Sequence, residues 1–480
     1  MHDFMVRLVY YSDIVFLVYF VAANFGYTVL MGLSLYSVSL HAKYAARKPY
    51  NDLADSPVTP PVAIVIAAYN EEANIVQTVL SLLRLNYQEK ELVVVDDGST
   101  DSTLERLVRR FHLRRMDLIF RERLNSGHPL AFYHNPSFPE LIVIAMPHSG
   151  KSNALNAGIN MARSPYFCTV DADCIIERDA LLRLMAPVLQ SKENVVVSGG
   201  IVRIANGCLL RNGRLARMGL PSSWLELCQI VEYIRTFMFG RPGWNMLNAN
   251  FITSGAFCVL HKESVIGAGG FSDDTVTEDI DIIAAIRRHL TEEGIKFRIL
   301  FTSDPICWTE APRTLRMLAR QRRRWQLGMT QTLAGNRDMI FNPRYGATGL
   351  LSMPFHLFIE VFGCVVEAFG TLVLIPISLI LLGTPLKIFL LFLLLAIAYG
   401  TLLSMGSVVL EEITLRRYPR LKHVMILMAF AVIENIGYRQ VVTFYRAYGV
   451  LQSFKLRRQH RWEHVHHEGL ADDAGGGLMA

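Results

Sequence analysis

Residues 91–111 of the chain read ELVVVDDGSTDSTLERLVRRF, and this stretch decides the central fold. Its continuous β-branched run predicts a strand that is buried on both faces, and the acidic residues that follow predict a turn. Apolar residues then recur at helical spacing, behind Asp101 or Ser102 as the helix cap. A strand, an acidic turn and a helix therefore follow one another directly.

The same unit occurs elsewhere in the middle of the chain. Residues 62–72 (VAIVIAAYNEE) and 166–176 (YFCTVDADCII) are likewise apolar runs that end in polar residues. Strand–helix alternation predicts an α/β domain with a mixed, mostly parallel sheet, helices on both faces, and ligands at the carboxyl ends of the strands. We expect this domain to occupy residues 46–345.

Both ends of the chain are more apolar than the middle. Residues 14–40 are almost free of charge and long enough to span a bilayer, so we expect residues 1–45 to form a transmembrane helix. The cations of HAKYAARK, residues 41–48, place the following domain in the cytoplasm by the positive-inside rule. We expect interface and transmembrane helices over residues 346–450 and a flexible basic tail over residues 451–480.

One stretch near the C-terminus admits two interpretations. Residues 424–442 are apolar but contain Glu434, Asn435, Arg439 and Gln440. The stretch either crosses the membrane or lies in its interface. Polar groups at membrane depth usually face a bundle interior or a water-filled path, which makes Glu434 a candidate channel residue.

The composition is that of a membrane protein with more than one domain. The chain has 480 residues, of which 51% are hydrophobic, and a mean hydropathy of +0.28. The net charge of +6 is modest and spread along the chain, and we expect no nucleic-acid partner. The seven cysteines lack CxxC spacing and therefore indicate neither a zinc site nor a disulfide framework.

The segment SGKS, residues 149–152, follows an apolar run and looks like the end of a phosphate-binding P-loop. A P-loop needs a glycine five positions before its Gly-Lys-Ser, and Ala145 stands there instead. Alanine resists the backbone angles of that turn, and Pro147 removes one N–H donor from the loop. An ATP-driven transporter subunit is therefore disfavoured, and Lys151 needs another explanation.

Three acidic pairs stand where site chemistry is expected. Two follow predicted strands and one begins a predicted helix: Asp96 and Asp97, Asp171 and Asp173, Glu278 and Asp279. The carboxylates of an Asp-x-Asp pair suit a hard cation, Mg²⁺ or Mn²⁺, that is shared with substrate phosphates. Asp279 suits a general base. The structural alternatives are turn chemistry at the strand ends and stabilisation by the helix dipole at the helix start.

An arginine-rich helix is predicted around LARQRRRWQLG, residues 318–328. Gln321, Arg324 and Trp325 lie at positions i, i+3 and i+4 and share one face. An arginine there can clamp a diphosphate, and a tryptophan beside it can stack on a sugar ring. The alternative is a basic amphipathic helix that rests on lipid head groups. Three further arginines suit that contact in addition: Arg320, Arg322 and Arg323.

The order DDG, DxD, TED and QxxRW, with flanking membrane helices, resembles the processive inverting family 2 glycosyltransferases. Cellulose synthase, hyaluronan synthase and poly-N-acetylglucosamine synthase belong to that family, and the resemblance implies a GT-A-like fold. The segment GKSNALNAG, residues 150–158, also fits, and in the family its lysine approaches the nucleotide. Residues 112–141 make the chain longer than usual for the family before Lys151, and the short tail leaves no room for the nucleotide-sensing β-barrel of bacterial cellulose synthases.

The resemblance implies a role for each matching residue. The uracil and ribose would be bracketed by Tyr69, Glu71, Asp96 and Asp97, with Lys151 at the diphosphate. The metal, Mg²⁺ or Mn²⁺, would be held by Asp171 and Asp173. Asp279, beside Glu278, would deprotonate the acceptor hydroxyl. The diphosphate and acceptor would contact Gln321, Arg324, Trp325, Ser254 and Gly255.

We therefore expect a membrane-embedded, metal-dependent hexosyltransferase that extends and exports a polysaccharide from a nucleotide sugar, with UDP as the nucleotide. The alternatives left open are the transfer of a single sugar to a membrane lipid and a catalytically inactive scaffold. The expected partners are the nucleotide sugar, a polysaccharide or lipid acceptor and membrane lipids, and a second copy or an export partner is left open. The expected location is the bacterial inner membrane, crossed several times.

Overall fold

A computed structural model describes residues 2–45, 59–211, 213–381, 386–418 and 420–455. These residues form two compact units. An α/β unit contains residues 59–226 and 248–311, and a helical unit contains residues 2–39, 227–247 and 312–455. The expected tail lies outside the described residues from position 456 onward. The boundaries expected at 45, 345 and 450 stay a prediction.

The α/β unit is built on a ten-stranded sheet with the order β3-β4-β5-β2-β1-β6-β11-β8-β12-β7, and β9 and β10 form a separate hairpin. The strands are β1 Val62–Ala68, β2 Lys90–Asp97, β3 Arg114–Met116, β4 Ala131–His134, β5 Leu141–Met146, β6 Tyr166–Val170, β7 Ile175–Ile176, β8 Val195–Ile204, β9 Leu209–Arg211, β10 Arg214–Arg217, β11 Phe257–His261 and β12 Arg298–Thr309. The sheet is mixed, as the sequence predicts.

The centre of the sheet is parallel. Strand β1 lies between β2 and β6 and runs parallel to both, and β2 runs parallel to β5. Their carboxyl ends therefore meet at one edge, where Ala68 is opposite Asp96. Strands β4 and β11 are antiparallel to their neighbours and extend the sheet on either side. Residues 112–141, the segment that is longer than usual for family 2 glycosyltransferases, contribute β3 and β4, the outer strands on one side of the sheet.

The helices are α1 His2–Ala45, α2 Ile75–Leu83, α3 Thr103–Phe111, α4 Lys151–Met161, α5 Ala180–Gln190, α6 Trp224–Arg235, α7 Arg241–Met246, α8 Lys262–Gly267, α9 Glu278–Glu292, α10 Leu315–Gly335, α11 Leu386–Thr414, α12 Leu421–Ile433 and α13 Arg439–Lys455. Between α10 and α11, α-turns alternate with π-turns along a helix that runs from Thr348 to Leu381.

Helix α4 fixes the centre of the α/β unit. Its Leu155 and Ile159 pack into one apolar cluster and its Ala154 and Ala157 into another, and all four side chains are buried. A fully buried Leu or Ile contributes about 1.5–3 kcal/mol relative to exposure, so this helix is anchored firmly. Lys151 is its first residue and is thereby held in place.

The helical unit explains the apolar ends of the chain. Four helices are long and apolar enough to cross a bilayer: Phe4–Leu40, Thr348–Leu381, Phe389–Thr414 and Leu421–Phe454. Many of their large apolar side chains are exposed, among them Leu394 and Leu402. Exposed apolar surface on such helices is expected where lipid surrounds the protein. The prediction of a membrane protein is confirmed.

The fourth of these helices is interrupted. Ile436 and Gly437 leave the helical conformation, and Gly437 has a φ of +93°. Gln440 Oε1 accepts the N–H of Gly437 at 2.8 Å and so satisfies part of the broken backbone. Glu434, just before the break, is 1% exposed and accepts hydrogen bonds from Arg235 and Ser404.

The cysteines are not used as a framework. All seven are free and buried.

Candidate active site

Asp97 organises the loop that leads into α4. It ends strand β2, and its side chain is 2% exposed. Its carboxylate accepts the backbone N–H of Ser149 at 2.8 Å and of Gly150 at 2.9 Å, and Nδ1 of His148 lies 2.9 Å from its Oδ2. These amides are therefore engaged by a carboxylate, which agrees with the exclusion of a P-loop.

The turn after Asp97 requires glycine. Gly98 has a φ of +68°, a conformation that L side chains rarely adopt. A Cβ there would lie 2.5 Å from the backbone nitrogen of His148. The DDG sequence thus has a steric reason, because its glycine lets the loop of residues 148–151 pass directly over the end of β2.

Lys151 joins two of the acidic pairs. Its Nζ lies 2.8 Å from Oδ1 of Asp171 and 2.7 Å from Oε1 of Glu278. Burial alone would lower the pKa of this lysine, but the two carboxylates outweigh burial and hold the pKa above its ordinary value. The ammonium is therefore charged, and it links the turn after β6 to the start of α9.

Asp279 is held at the start of α9 by a backbone amide. The N–H of Gly255 donates to Oδ2 of Asp279 at 3.0 Å. Burial and the neighbouring Glu278 raise the pKa of Asp279 to about 6, while Lys151 and the Gly255 N–H act in the opposite direction. A carboxylate with a pKa close to neutrality has the property expected of a general base.

The Asp-x-Asp turn follows β6. Ligand atoms of Asp171, Asp173 and Cys174 lie within 4.8 Å of one another. Thr309 donates its hydroxyl to Oδ2 of Asp173 at 3.0 Å. Two carboxylates on one turn fit the oxygen-rich, incomplete ligand set of a hard divalent cation. A hydrogen bond with Cys307 and burial hold the pKa of the Cys174 thiol well above its ordinary value.

Glu71 lies close to the two carboxylates of the Asp-x-Asp turn, Asp171 and Asp173. Burial and the nearby charge of Asp173 raise the pKa of its carboxyl to about 9, and Asp171 acts in the same direction. Its backbone N–H donates to Oγ1 of Thr103 at 2.8 Å. The raised pKa favours the protonated form, in which this carboxyl can donate a hydrogen bond.

An aromatic pair lies beside Asp97. The rings of Tyr69 and His148 are stacked, with centroids 4.2 Å apart and an angle of 24° between their planes. Asp96 is buried, and burial raises the pKa of its carboxyl. Its Oδ1 has no hydrogen-bond partner within the described parts of the chain. A buried acceptor of this kind is costly unless a ligand completes it.

Sequence reasoning missed His148. The sequence analysis gives this residue no role, whereas the structure stacks it on Tyr69 and bonds it to Asp97. Its position three residues before Lys151, in a loop between a strand and a helix, was the available signal.

Ser254 and Gly255 line a small cavity beside α9. The cavity measures about 10 Å³, and its wall also includes Thr253, Glu278 and Asp279. This is about the room that one water molecule needs. The acceptor-binding role expected of Ser254 and Gly255 stays a prediction, while the contact of Gly255 with Asp279 is direct.

Gln321, Arg324 and Trp325 belong to the helical unit, on α10. Trp325 is 37% exposed, and Gln321 accepts a hydrogen bond from Arg322 at 3.2 Å. Arg320 is exposed, as a lipid contact requires. Arg322 is only 2% exposed and does not fit the lipid-contacting face that its sequence suggests, because its charge is paired inside the unit.

Three family models match the chain. "Glycosyl transferase family 2" matches residues 63–132, "Glycosyltransferase like family 2" residues 136–328, and "Chitin synthase" residues 288–438. The first two together cover the segment that carries the acidic motifs and the QxxRW helix. The resemblance to family 2 glycosyltransferases is confirmed.

Two relatives are poly-β-1,6-N-acetyl-D-glucosamine synthases. The protein of Staphylococcus epidermidis is 27% identical over 311 residues, which cover 64% of this chain and 65% of the relative. That of Staphylococcus aureus strain COL is 28% identical over 272 residues, which cover 57% of this chain and 55% of the relative. The match thus spans less than two thirds of the length of either relative.

Solved structures of glycosyltransferases are also similar. A mannosyltransferase of Pyrobaculum calidifontis in complex with GDP-Man and Mn²⁺ has 16% identity and a TM-score of 0.47, with coverage of 91% of this chain and 98% of that one. Residues 1–349 of Staphylococcus aureus TarS in complex with UDP-GlcNAc have 16% identity and a TM-score of 0.36, with coverage of 84% and 94%.

Proposed function

We propose that the chain is a membrane-embedded, processive glycosyltransferase that extends a polysaccharide from a UDP-sugar with inversion at the anomeric carbon, and that it exports the product. The observation that carries this proposal is the meeting of Asp171, Glu278 and Asp279 around Lys151. This arrangement supports a diphosphate site and a general base that would lie side by side, next to the carboxyl end of β6. The names of the relatives favour UDP-N-acetylglucosamine as the first donor to test.

The proposed reaction is a single displacement. The carboxylate of Asp279 takes the proton of an acceptor hydroxyl, the acceptor oxygen bonds to the anomeric carbon, and the bond from that carbon to the diphosphate oxygen breaks. The nucleoside diphosphate leaves with the bonding electron pair, and the configuration inverts because no covalent enzyme intermediate forms. A pKa of about 6 leaves Asp279 mostly ionised at neutral pH, as this step requires.

Asp171 and Asp173 would hold Mg²⁺ or Mn²⁺, whose chemistry would be to neutralise charge on the diphosphate. Lys151 already places a positive charge on Asp171. We therefore assign Lys151 to the charge balance of the site, next to the diphosphate that its family role implies. Arg324 keeps its proposed role on the leaving group and Trp325 on the acceptor.

We propose different roles for the residues that are expected at the nucleotide, because their surroundings differ. Tyr69 and Asp96 suit direct contacts, because one offers an aromatic face and the other a buried oxygen without a partner in the described structure. Asp97 is fully engaged by the loop of residues 148–150, so we propose that it acts by shaping that loop. Glu71, with its raised pKa, is proposed as a hydrogen-bond donor near Asp171 and Asp173.

The proposed location is the bacterial inner membrane with the α/β unit in the cytoplasm, where nucleotide sugars are made. The proposed acceptor is the growing chain, and a single-sugar transfer to lipid is the competing outcome of the test. The four apolar helices support embedding in the membrane.

The deciding experiment uses the full chain, purified into lipid nanodiscs and supplied with a panel of UDP-sugars. We expect release of UDP and long products, while most of the acceptor stays unused. The Asp279→Asn variant should give both at rates lowered by roughly 10²–10⁴-fold. A product that stops at one added sugar at every ratio of enzyme to acceptor would replace the synthase by a lipid glycosyltransferase.

A further inference from the structure

Arg322 stands inside the QRRRW segment but on the buried side of α10. It is 2% exposed, whereas Arg320, two residues earlier, is exposed. A buried guanidinium needs partners for its charge and its N–H groups.

Two of those partners are residues to which the family resemblance gives a role. Nη1 of Arg322 donates to Oε1 of Gln321 at 3.2 Å. The guanidinium carbon lies 4.4 Å from the ring centroid of Trp325, which is a cation–π contact. One side chain thus touches both the first and the last residue of the QxxRW motif.

Arg322 is itself held from the other side. Its Nη2 donates to Oε2 of Glu232, on α6, at 2.8 Å. The hydroxyl of Tyr438 donates to the same carboxylate oxygen at 2.5 Å. Tyr438 follows directly on the break at Ile436 and Gly437 in the fourth apolar helix. One oxygen of Glu232 therefore accepts from both side chains and holds the Nη2 end of the guanidinium.

We propose that Arg322 is a positioning residue of the glycosyl transfer, which sets the indole plane of Trp325 and the amide of Gln321, and that Glu232 and Tyr438 hold Arg322 in that orientation. The inference rests on the proposed function, because that function gives Gln321 and Trp325 their task. An arginine suits the role because its planar group donates through Nη2 to Glu232 and through Nη1 to Gln321 while it lies over the ring of Trp325. The ammonium of a lysine is a compact point charge and has no planar fork to make these three contacts at once.

The experiment compares Arg322→Lys with Arg320→Met as the exposed control. Arg322→Lys keeps a positive charge next to Glu232, so we expect the chain to stay folded, with a melting temperature close to that of the parent. We expect the transfer of sugar to acceptor to fall by about ten- to a hundredfold, the range that slight misplacement of substrate-positioning groups can produce. UDP affinity and the hydrolysis of donor to free sugar should stay unchanged, as should every property of Arg320→Met.

A double-mutant cycle tests whether the effect passes through Trp325. In a Trp325→Ala background, Arg322→Lys should reduce transfer much less than it does in the parent, because the platform it positions is gone. Equal reductions in both backgrounds, or an unchanged ratio of transfer to hydrolysis, would overturn the proposal.

A spectroscopic measurement separates this inference from the proposed function. The emission of Trp325 is obtained as the difference between each chain and its Trp325→Phe version. We expect Arg322→Lys, Glu232→Gln and Tyr438→Phe each to shift that emission to the red and to increase its quenching by acrylamide. An unaltered Trp325 emission in the three variants would contradict the inference. If the variants show the expected emission changes but the parent chain transfers no sugar, the proposed function alone is contradicted.

Discussion

The backbone N–H of Gly255 donates to Oδ2 of Asp279 at 3.0 Å, and a Cβ on residue 255 would lie 2.9 Å from that same oxygen. Only a glycine can bring its amide this close. The carboxylate of the proposed base is thus held by main chain, while burial and Glu278 raise its pKa.

Removing the carboxylate should separate chemistry from binding. Asp279→Asn keeps the shape and an acceptor for the Gly255 amide but loses the base, so transfer should fall by roughly 10²–10⁴-fold while UDP affinity is retained. Single-turnover transfer and calorimetric UDP titration measure the two quantities. Glu292→Gln, exposed at the other end of α9, serves as the control. A collapse of UDP binding would make Asp279 a structural helix cap.

Gly255→Ala should displace the base without removing it. The added Cβ meets the carboxylate of Asp279 at 2.9 Å, so the side chain must move, and we expect transfer to fall by about 10²-fold, as for a misplacement of roughly 1 Å. Gly335→Ala is the matched control, because a Cβ there meets no atom within 4 Å. Full transfer activity in Gly255→Ala would show that the contact does not position the base.

The pH profile should report Asp279. A base with a pKa of about 6 is protonated below that pH, so kcat should fall as the pH drops through 6 and level off above 7. Lys151 lowers the pKa of Asp279. Lys151→Met should therefore move the acid limb to higher pH, so that activity is lost already above pH 6.

The control for that shift is Lys192→Met, an exposed lysine of the same unit. Its acid limb should coincide with that of the parent. If the limb of Lys151→Met also coincides, the charge of Lys151 does not act on the titrating group.

Asp173→Asn should abolish metal-dependent turnover. The change removes one of two carboxylates on the Asp-x-Asp turn, so the affinity for Mn²⁺, measured by electron paramagnetic resonance in the presence of UDP, should fall at least about tenfold. Asp117→Asn, at an exposed position, should bind Mn²⁺ as the parent does. Full turnover of the parent in EDTA would remove the metal from the scheme.

Substitutions of Arg324 and of Trp325 should have different effects on sugar transfer and on donor hydrolysis. The proposed clamp acts on the leaving diphosphate in transfer and in hydrolysis, so Arg324→Ala should lower both rates. The proposed platform acts only on the acceptor, so Trp325→Ala should lower transfer and spare the release of free sugar. Chromatography of radiolabelled donor products measures both. Equal losses in the two reactions for Trp325→Ala would contradict the platform.

The parallel centre of the sheet was predictable because β-branched runs and helical spacing are local signals. The strands β1, β2 and β6 lie where residues 62–72, 91–97 and 166–176 indicate them. The outer hairpin of β3 and β4 was not predicted, since its short strands carry arginines and polar residues and depend on pairing with β5. Tertiary pairing decides such segments more than propensity does.

The site was predictable in its residue types but not in its pairings. Acidic residues after strands indicate a ligand-binding or catalytic site. No local sequence signal, however, predicts that Lys151 pairs with Asp171 and Glu278, which are distant in the chain. The same holds for Arg322, whose three arginine neighbours suggest an exposed stripe. Its burial depends on Glu232, about ninety positions earlier, and only the folded chain brings that carboxylate to it.

Because all seven cysteines are buried, we expect the parent chain to react little with thiol reagents, and it can serve as the background control in cysteine labelling. Maleimide reagents need an accessible thiolate, and these thiols are shielded by the fold. One cysteine introduced at an exposed position, such as Arg320→Cys or Asp117→Cys, would then carry the entire label. In intact cells and in inverted vesicles, an impermeant maleimide would thereby assign each labelled position to one side of the bilayer without first stripping the native thiols.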